Sequence, residues 1–219
     1  MKPRDYLPGP ADLEYIDRVE APLHPVLCEI EVAAEPRGIP IVDRAVGRLL
    51  GAMATNRPRI VEIGTAYGYS TLWMALAQVH RGTIVTVDPD RSRTDLARRF
   101  WRAAGIEDER IQVVNRPALE ALADEEEAAL QGPFDLAFLD AIKTEYVDYF
   151  EALVPRLATG AVLAADNVLR GGRVADPTLE ADPSTQGIRA FNARLLGDAR
   201  FNATILPVGD GVLVAFLRG

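Results

Sequence analysis

Between residues 59 and 165 the chain repeats one pattern: a short, nearly unbroken apolar run, then a longer stretch mixing apolar with charged residues. The runs are Arg59–Ile63, Thr83–Val87, Ile111–Val114, Phe134–Leu139 and 161–165. Apolar side chains on consecutive residues suit a strand covered on both faces. The stretches between them predict helices over 70–79, 92–104, 117–130 and 144–157. Strands alternating with helices of this length imply right-handed βαβ units, hence an α/β fold with a mostly parallel sheet and helices on both faces.

The flanks extend this core. Ile41, Ala45, Leu49 and Met53 recur at helical spacing and predict a helix over 41–54. Residues 169–183 contain Gly171, Gly172, Pro177 and Pro183 and predict a loop, followed by a helix over 185–196. Two further strands, 201–206 and 212–217, are joined across Asp210-Gly211, a hairpin signal. The sheet is therefore expected to have seven strands and an antiparallel C-terminal hairpin.

Residues 1–40 carry Pro3, Pro8, Pro10, Pro22, Pro25, Pro36 and Pro40, with room for short helices over 12–19 and 26–34. They read as an N-terminal arm or lid rather than a core element, with residues 41–219 as the main domain.

The composition removes several functions. The 219 residues suit one domain. Lys and Arg number 24 against 32 Asp and Glu, a formal net charge of −8, the wrong sign for a protein that tracks nucleic-acid phosphates. Cys28 is the single cysteine, so no intrachain disulfide or cysteine zinc site is available. The two histidines, His24 and His80, lie far apart in sequence. No apolar stretch approaches membrane length and no signal-like segment opens the chain, so a cytoplasmic protein is expected. The acidic run 124–127 and the arginines between Arg91 and Arg102 read as solvated helix faces.

Chemistry-bearing residues fall at the carboxyl ends of the expected strands, where open parallel sheets bind ligands. After the first strand come Gly64 and Gly68, which suit either a plain tight turn or one that admits a ligand to the helix N-terminus. Ala66 takes the middle glycine of the dinucleotide fingerprint, which weakens an NAD(P)-dependent oxidoreductase reading. Asp88 ends the second strand, placed to cap a helix or to bind a ribose diol. Asp140 ends the fourth strand, and Asp166 with Asn167 ends the fifth. Two carboxylates and an amide oxygen form a hard donor set for Mg²⁺, Ca²⁺ or Mn²⁺, or else cap loops.

Taken in order, these blocks resemble the cation-dependent O-methyltransferases of the catechol and caffeoyl-CoA type, Rossmann-like class I S-adenosylmethionine-dependent enzymes. The blocks are Glu62-Ile63-Gly64…Gly68-Tyr69-Ser70-Thr71, Val87-Asp88, Phe134-Asp135…Leu139-Asp140-Ala141…Lys143…Tyr146, Asp166-Asn167-Val168-Leu169, and Arg189-Ala190-Phe191-Asn192…Leu206 to Gly211. The resemblance covers roughly residues 40–219.

It implies that Glu62, Gly64 and Ser70 hold the methionine end of S-adenosylmethionine, with Thr65 and Gly68 also binding the cofactor. Val42, in the start of the 41–54 helix, closes over the cofactor. Asp88 takes the ribose, Pro89 lies against the adenine, and Ala118 meets the adenine edge. Asp140 borders the cofactor and, with Asp166 and Asn167, binds the divalent cation, Mg²⁺ in the first instance. Lys143 is the general base, acting beside Asp140 on a small hydroxylated, catechol-like acceptor. A homodimer is implied, with no nucleic-acid or membrane partner. Three positions depart from the family pattern: Arg116 stands where a glycine is usual, Ile142 replaces the second Asp of the caffeoyl-CoA branch, and Gly171 replaces a substrate-binding Asn. A non-catalytic cofactor-binding relative is the other alternative.

Overall fold

The structure, a computed structural model, describes residues 8–79, 82–179 and 182–219. Residues 1–7 of the expected arm, including Pro3, lie outside the described residues, as do His80 and residues 180 and 181 of the expected loop.

In chain order the main elements are α1 (Pro10–Val19), α2 (Pro25–Ala34), α3 (Arg44–Ala54), β1 (Arg59–Ile63), α4 (Tyr69–Ala77), β2 (Thr83–Val87), α5 (Arg91–Ala103), β3 (Ile111–Val114), α6 (Ala118–Ala123), β4 (Phe134–Leu139), α7 (Tyr146–Leu153), β5 (Leu157–Ala165), α8 (Pro183–Leu196), β6 (Phe201–Leu206) and β7 (Val212–Leu217). They build one seven-stranded sheet in the order β3-β2-β1-β4-β5-β7-β6. β1 to β5 pair in parallel, whereas β7 pairs antiparallel with both β5 and β6. Six strands thus point one way and β7 the other. The strand order reverses at β1, which has β2 on one side and β4 on the other. Loops diverge at such a point and leave a crevice beyond the strand ends.

Strand side chains alternate between two cores, as the pleat requires. Ile60, Ile84, Leu136, Phe138, Val162 and Ala164 face one core, shared with α2, α3, α4 and α5. Val61, Ile63, Val85, Val87, Ala137, Leu139, Leu163 and Ala165 face the other, shared with α6, α7 and α8.

Several expected boundaries move, each for a physical reason. The helix expected over 41–54 starts only at Arg44, so Val42 lies in the extended segment before it. Its buried stripe is Val46, Gly47, Leu50, Gly51 and Ala54, not the row through Ala45. A Cβ at Gly47 would run into the Trp73 ring, so the two glycines set how closely α3 and α4 pack. The helix expected over 117–130 stops at Ala123, because the Asp124 carboxylate accepts the Glu126 amide at 3.0 Å and closes a turn there. The helix expected over 144–157 is α7 alone, framed by 3₁₀ turns, and Pro155 lies in the turn that ends it. β5 therefore begins at Leu157 instead of residue 161. The loop expected over 169–183 contains two 3₁₀ turns, and α8 begins at Pro183 rather than residue 185.

The N-terminal segment splits in two. α1 buries no residue. α2 departs from the expected surface arm: Val26, Leu27, Ile30 and Ala34 belong to the core. Glu31 on α2 accepts a 2.6 Å hydrogen bond from the Tyr69 hydroxyl and pairs with Arg44, so α2 is tied to α4 and to the start of α3.

Candidate functional site

The turn after β1 is built from conformations few residues tolerate. Gly64 has φ of +102°, and a Cβ there would overlap the Asp140 carbonyl. Gly68 has φ of +72°, and its carbonyl accepts the indole N–H of Trp101 at 2.9 Å. The Asp88 carboxylate stitches β2 to this turn: one oxygen accepts the amides of Thr65 (3.3 Å) and Ala66 (2.8 Å), the other that of Asp90 (2.9 Å). Oδ1, which among the described residues accepts the Asp90 amide alone, still has a lone pair for a ligand hydroxyl.

A cavity of about 770 Å³ opens along these strand ends, a size suited to a cofactor and a small molecule together. Of the residues singled out in the sequence, Val42, Gly64, Thr65, Ser70, Asp88, Pro89, Ala118, Asp140, Lys143 and Asn167 line it. The wall also contains Tyr69, from the Gly68-Tyr69-Ser70 block, and Arg93, Glu120 and Tyr149, which the sequence reasoning passed over as cofactor or substrate residues. Arg93 and Glu120 lie in the first turns of α5 and α6, just beyond Asp88 and at Ala118, so helical spacing was the signal that could have found them. Ile142 is part of the wall and 57% exposed, an apolar surface beside Lys143. Arg116 is not; it turns outward to Asp124 at 2.8 Å and leaves the cavity end at Ala118 clear.

Three expected site residues stand behind the wall rather than in it: Glu62, Gly68 and Asp166. Glu62 is fully buried and accepts hydroxyl hydrogen bonds from Ser70 (2.5 Å), Thr71 (2.5 Å) and Thr86 (2.6 Å). Burial pushes its carboxyl up to about 7; the hydroxyls oppose that shift and the Asp140 charge adds to it. It orients Ser70 and ties α4 to β1 and β2.

The carboxylates meet where β4 and β5 end side by side. Leu139 pairs with Ala165, and the Asp166 amide donates to the Leu139 carbonyl at 3.0 Å. Asp166 is nearly fully buried; desolvation and the neighbouring Asp140 charge push its carboxyl up to about 7. Asn167, with φ of +58°, turns toward the cavity. Among the described residues no group of three His, Cys, Asp and Glu side chains is placed to hold a metal. The donor set is instead two carboxylates and the Asn167 amide oxygen. It would suit a hard divalent cation: burial and the Asp140 charge drive the Asp166 carboxyl toward its neutral form, and the Lys143 ammonium offsets that only in part.

Lys143 donates to Asp140 Oδ1 at 2.7 Å and to the Tyr146 hydroxyl at 2.6 Å. α8 sets the height of this turn, because a Cβ at Gly187 would come within 2.5 Å of the Lys143 carbonyl oxygen and 2.9 Å of Thr144 Cα. Backbone cannot yield as a side-chain tip can. Gly187→Ala is thus expected to lose about 1–3 kcal/mol of stability by overpacking, read by urea unfolding. A wild-type value would show that this contact has room to give.

The loop after Asn167 is held from two sides. Asn192 on α8 donates to the Val168 carbonyl at 2.9 Å. From the β6–β7 turn, Gly211 and Asp210 carbonyls accept the amides of Val168 and Leu169 at 3.0 Å each, and the Asp210 carboxylate accepts that of Gly171 at 2.5 Å.

A seven-stranded sheet with reversed β7, and a large cavity across the switch point with acidic residues at the ends of β2, β4 and β5, define the Rossmann-like methyltransferase class. Comparison with known proteins narrows this. Residues 33–217 match the sequence profile of the O-methyltransferase family, and the chain belongs to that family. It is an S-adenosylmethionine-dependent O-methyltransferase, and the oxidoreductase alternative falls away. The chain is 37% identical over 173 residues to a catechol O-methyltransferase of Niastella koreensis, covering 76% of each chain. It is 36% identical over 157 residues to a probable caffeoyl-CoA O-methyltransferase of Dictyostelium discoideum, covering 72% of this chain and 68% of that one. Among solved structures, the O-methyltransferase of Bacillus cereus in complex with S-adenosylhomocysteine superposes with a TM-score of 0.83 at 31% identity, over 94% of this chain and 96% of that one. Among the described residues no helix is long and apolar enough to cross a membrane.

Proposed function

We propose that the chain is a divalent-cation-dependent O-methyltransferase acting on one hydroxyl of a small catechol-like acceptor. The observation that carries this reading is the meeting of Asp140, Lys143 and Asn167 on one stretch of cavity wall, with Asp166 directly behind and Asp88 on the same wall. Asp140, Asp166 and Asn167 would hold the cation. Asp88 would accept the ribose hydroxyls, Pro89 and Ala118 would flank the adenine, and Val42, Gly64, Thr65 and Ser70 would enclose the methionine end. S-adenosylmethionine supplies the methyl group, and a bound cation lowers the pKa of the hydroxyl it touches.

The chain's own residues do the rest. Lys143, its side chain 13% exposed and anchored on Asp140 and Tyr146, would as the free amine take the acceptor's hydroxyl proton, and as the ammonium stabilise the charge left on the acceptor oxygen. Ile142, Ile41 and Pro40 give that part of the cavity apolar walls for a flat ring. Holding oxygen, methyl carbon and sulfur in line accounts for much of the rate in such a transfer. The homodimer belongs to the same proposal; α1 exposes Leu13, Tyr15, Ile16 and Val19 for it.

The test is transfer of labelled methyl from S-adenosylmethionine to a panel of dihydroxy-aromatic acceptors, with Mg²⁺ and with excess chelator. Transfer that vanishes with chelator and returns with Mg²⁺ is expected. Transfer indifferent to chelator would sink the cation. S-adenosylhomocysteine binding without transfer to any acceptor would favour a non-catalytic relative.

A further inference from the structure

We propose that Tyr146 is a positioning residue for the transfer reaction, fixing the Lys143 ammonium against the paired ends of β4 and β5. This rests on Lys143 acting in the transfer as proposed above, here as the ammonium that stabilises the charge left on the acceptor oxygen.

Tyr146 is completely buried in the first turn of α7, and its ring packs edge-to-face on Phe191 of α8, 5.3 Å between centroids. Among the described residues its oxygen lies at hydrogen-bond distance from Lys143 Nζ (2.6 Å), the Asp166 carbonyl (3.2 Å) and the Leu139 carbonyl (3.3 Å), and the Ala141 backbone amide also acts on it. An ammonium can only donate and a carbonyl can only accept. The phenol oxygen must therefore accept from Lys143, and its single proton must go to a carbonyl. The Leu139 carbonyl already accepts the Asp166 amide, which leaves the Asp166 carbonyl as the better partner. The hydrogen bonds run Lys143 to Tyr146 to the backbone of Asp166, with no water to compete at so buried an oxygen.

Among the described residues Lys143 has one other hydrogen-bond partner, Asp140 Oδ1. Asp140 also belongs to the proposed cation set, so its charge is shared once a cation binds. The phenol is neutral and has no such second task. It holds the ammonium at one place whether or not Asp140 is engaged, and ties that place to the residue that carries the buried carboxylate. Phenylalanine would keep the packing on Phe191 and lose the whole relay.

The experiment is a double-mutant cycle with Tyr146→Phe and Lys143→Met in the full-length chain, assayed for methyl transfer at saturating Mg²⁺. Calorimetric titration with S-adenosylhomocysteine and with Mg²⁺, and thermal unfolding, are run alongside. Tyr146→Phe is expected to lower kcat roughly 10- to 100-fold, the range for losing one hydrogen bond to a charged group. KM for S-adenosylmethionine and both titrations should stay at wild-type values. In the Lys143→Met background the same change should cost less than about twofold, because the groups act as one unit. An equal fall in both backgrounds would mean a purely structural role and overturn the inference. So would a loss repaired by more Mg²⁺, which would place the effect on the cation site. Lys143→Met with wild-type kcat would remove the role of Lys143 itself, a failure visible without the tyrosine variant. If Tyr146→Phe does not fold, 3-fluorotyrosine at 146 replaces it: a weaker acceptor oxygen should lower kcat only where Lys143 is present, and an equal fall in both backgrounds again overturns the inference.

Discussion

Asp166→Ala is expected to lower methyl transfer about a thousandfold or more at saturating Mg²⁺ while leaving the affinity for S-adenosylhomocysteine within about threefold. A metal acting as Lewis acid is worth several kcal/mol, and about 1.4 kcal/mol is a tenfold change in rate. The side chain stands behind the cavity wall, so its loss opens no hole in the cofactor surface. An Asp166→Ala enzyme with undiminished turnover in chelated buffer would defeat the cation proposal. The same residue gives a pH signature. Its carboxyl is pushed from 3.8 up to about 7 by burial and by Asp140, so between those values the folded chain keeps a proton that the unfolded chain has released. Its contribution to stability is therefore present in full below its ordinary pKa and is lost as pH rises through about 7. Glu62 has the same sign and window, from 4.5 to about 7. A cation replaces the proton at Asp166, so Mg²⁺ should raise Tm more at about pH 8 than at about pH 5.5, and calorimetry should find proton release on binding in the acid range. An equal Tm gain at both would show that Asp166 does not take the cation.

Gly64→Ala is the second large effect. The position requires φ of +102°, and the added Cβ would meet the carbonyl of Asp140, which neither strand can move without breaking the β1–β4 ladder. Left-handed strain costs roughly 1–3 kcal/mol and overpacking a similar amount. Together these come to about 2–6 kcal/mol, which reaches the lower end of an ordinary domain's stability, about 5–15 kcal/mol. Little soluble protein is expected at 37 °C, and what folds should lose both S-adenosylhomocysteine binding and transfer. The measurements are urea unfolding and a cofactor titration. A folded variant with wild-type stability would show that the turn has slack the geometry denies it.

The sequence carried the sheet well because its strands are buried on both faces, and such runs are hard to mistake. β6 and β7 begin and end where their apolar runs do. Helix limits were less legible, since they depend on events outside the helix: the Asp124 turn ended α6 early, and the close fit of Gly47 on Trp73 decided which face of α3 turned inward. α2 looked like part of an arm because prolines flank it, yet its apolar side completes a core whose other side is far away in sequence. Most candidate site residues were legible because strand ends converge on one edge. Spacing could not reveal which of them face the cavity. Glu62 and Asp166 lie one layer back, and the difference between wall and support exists only after packing. Tyr146 was visible as part of a matching block, but its role emerges only from three neighbours brought together by β4, β5 and its own turn.

The grip on the loop after Asn167 has a consequence for biosynthesis. The segments that hold it, Asn192 and the turn at 210–211, are translated after the loop itself. β7, moreover, must slot between β5 and β6, so the sheet cannot be completed in the order in which it leaves the ribosome. A nascent chain stalled near residue 180 would have β1 to β5 and most of the cavity wall, yet its Asp166-Asn167 corner would be loose. Chains arrested before and after residue 211 should therefore differ sharply in protease sensitivity around residues 167–172, and catalytic competence would arrive late and all at once rather than growing with chain length.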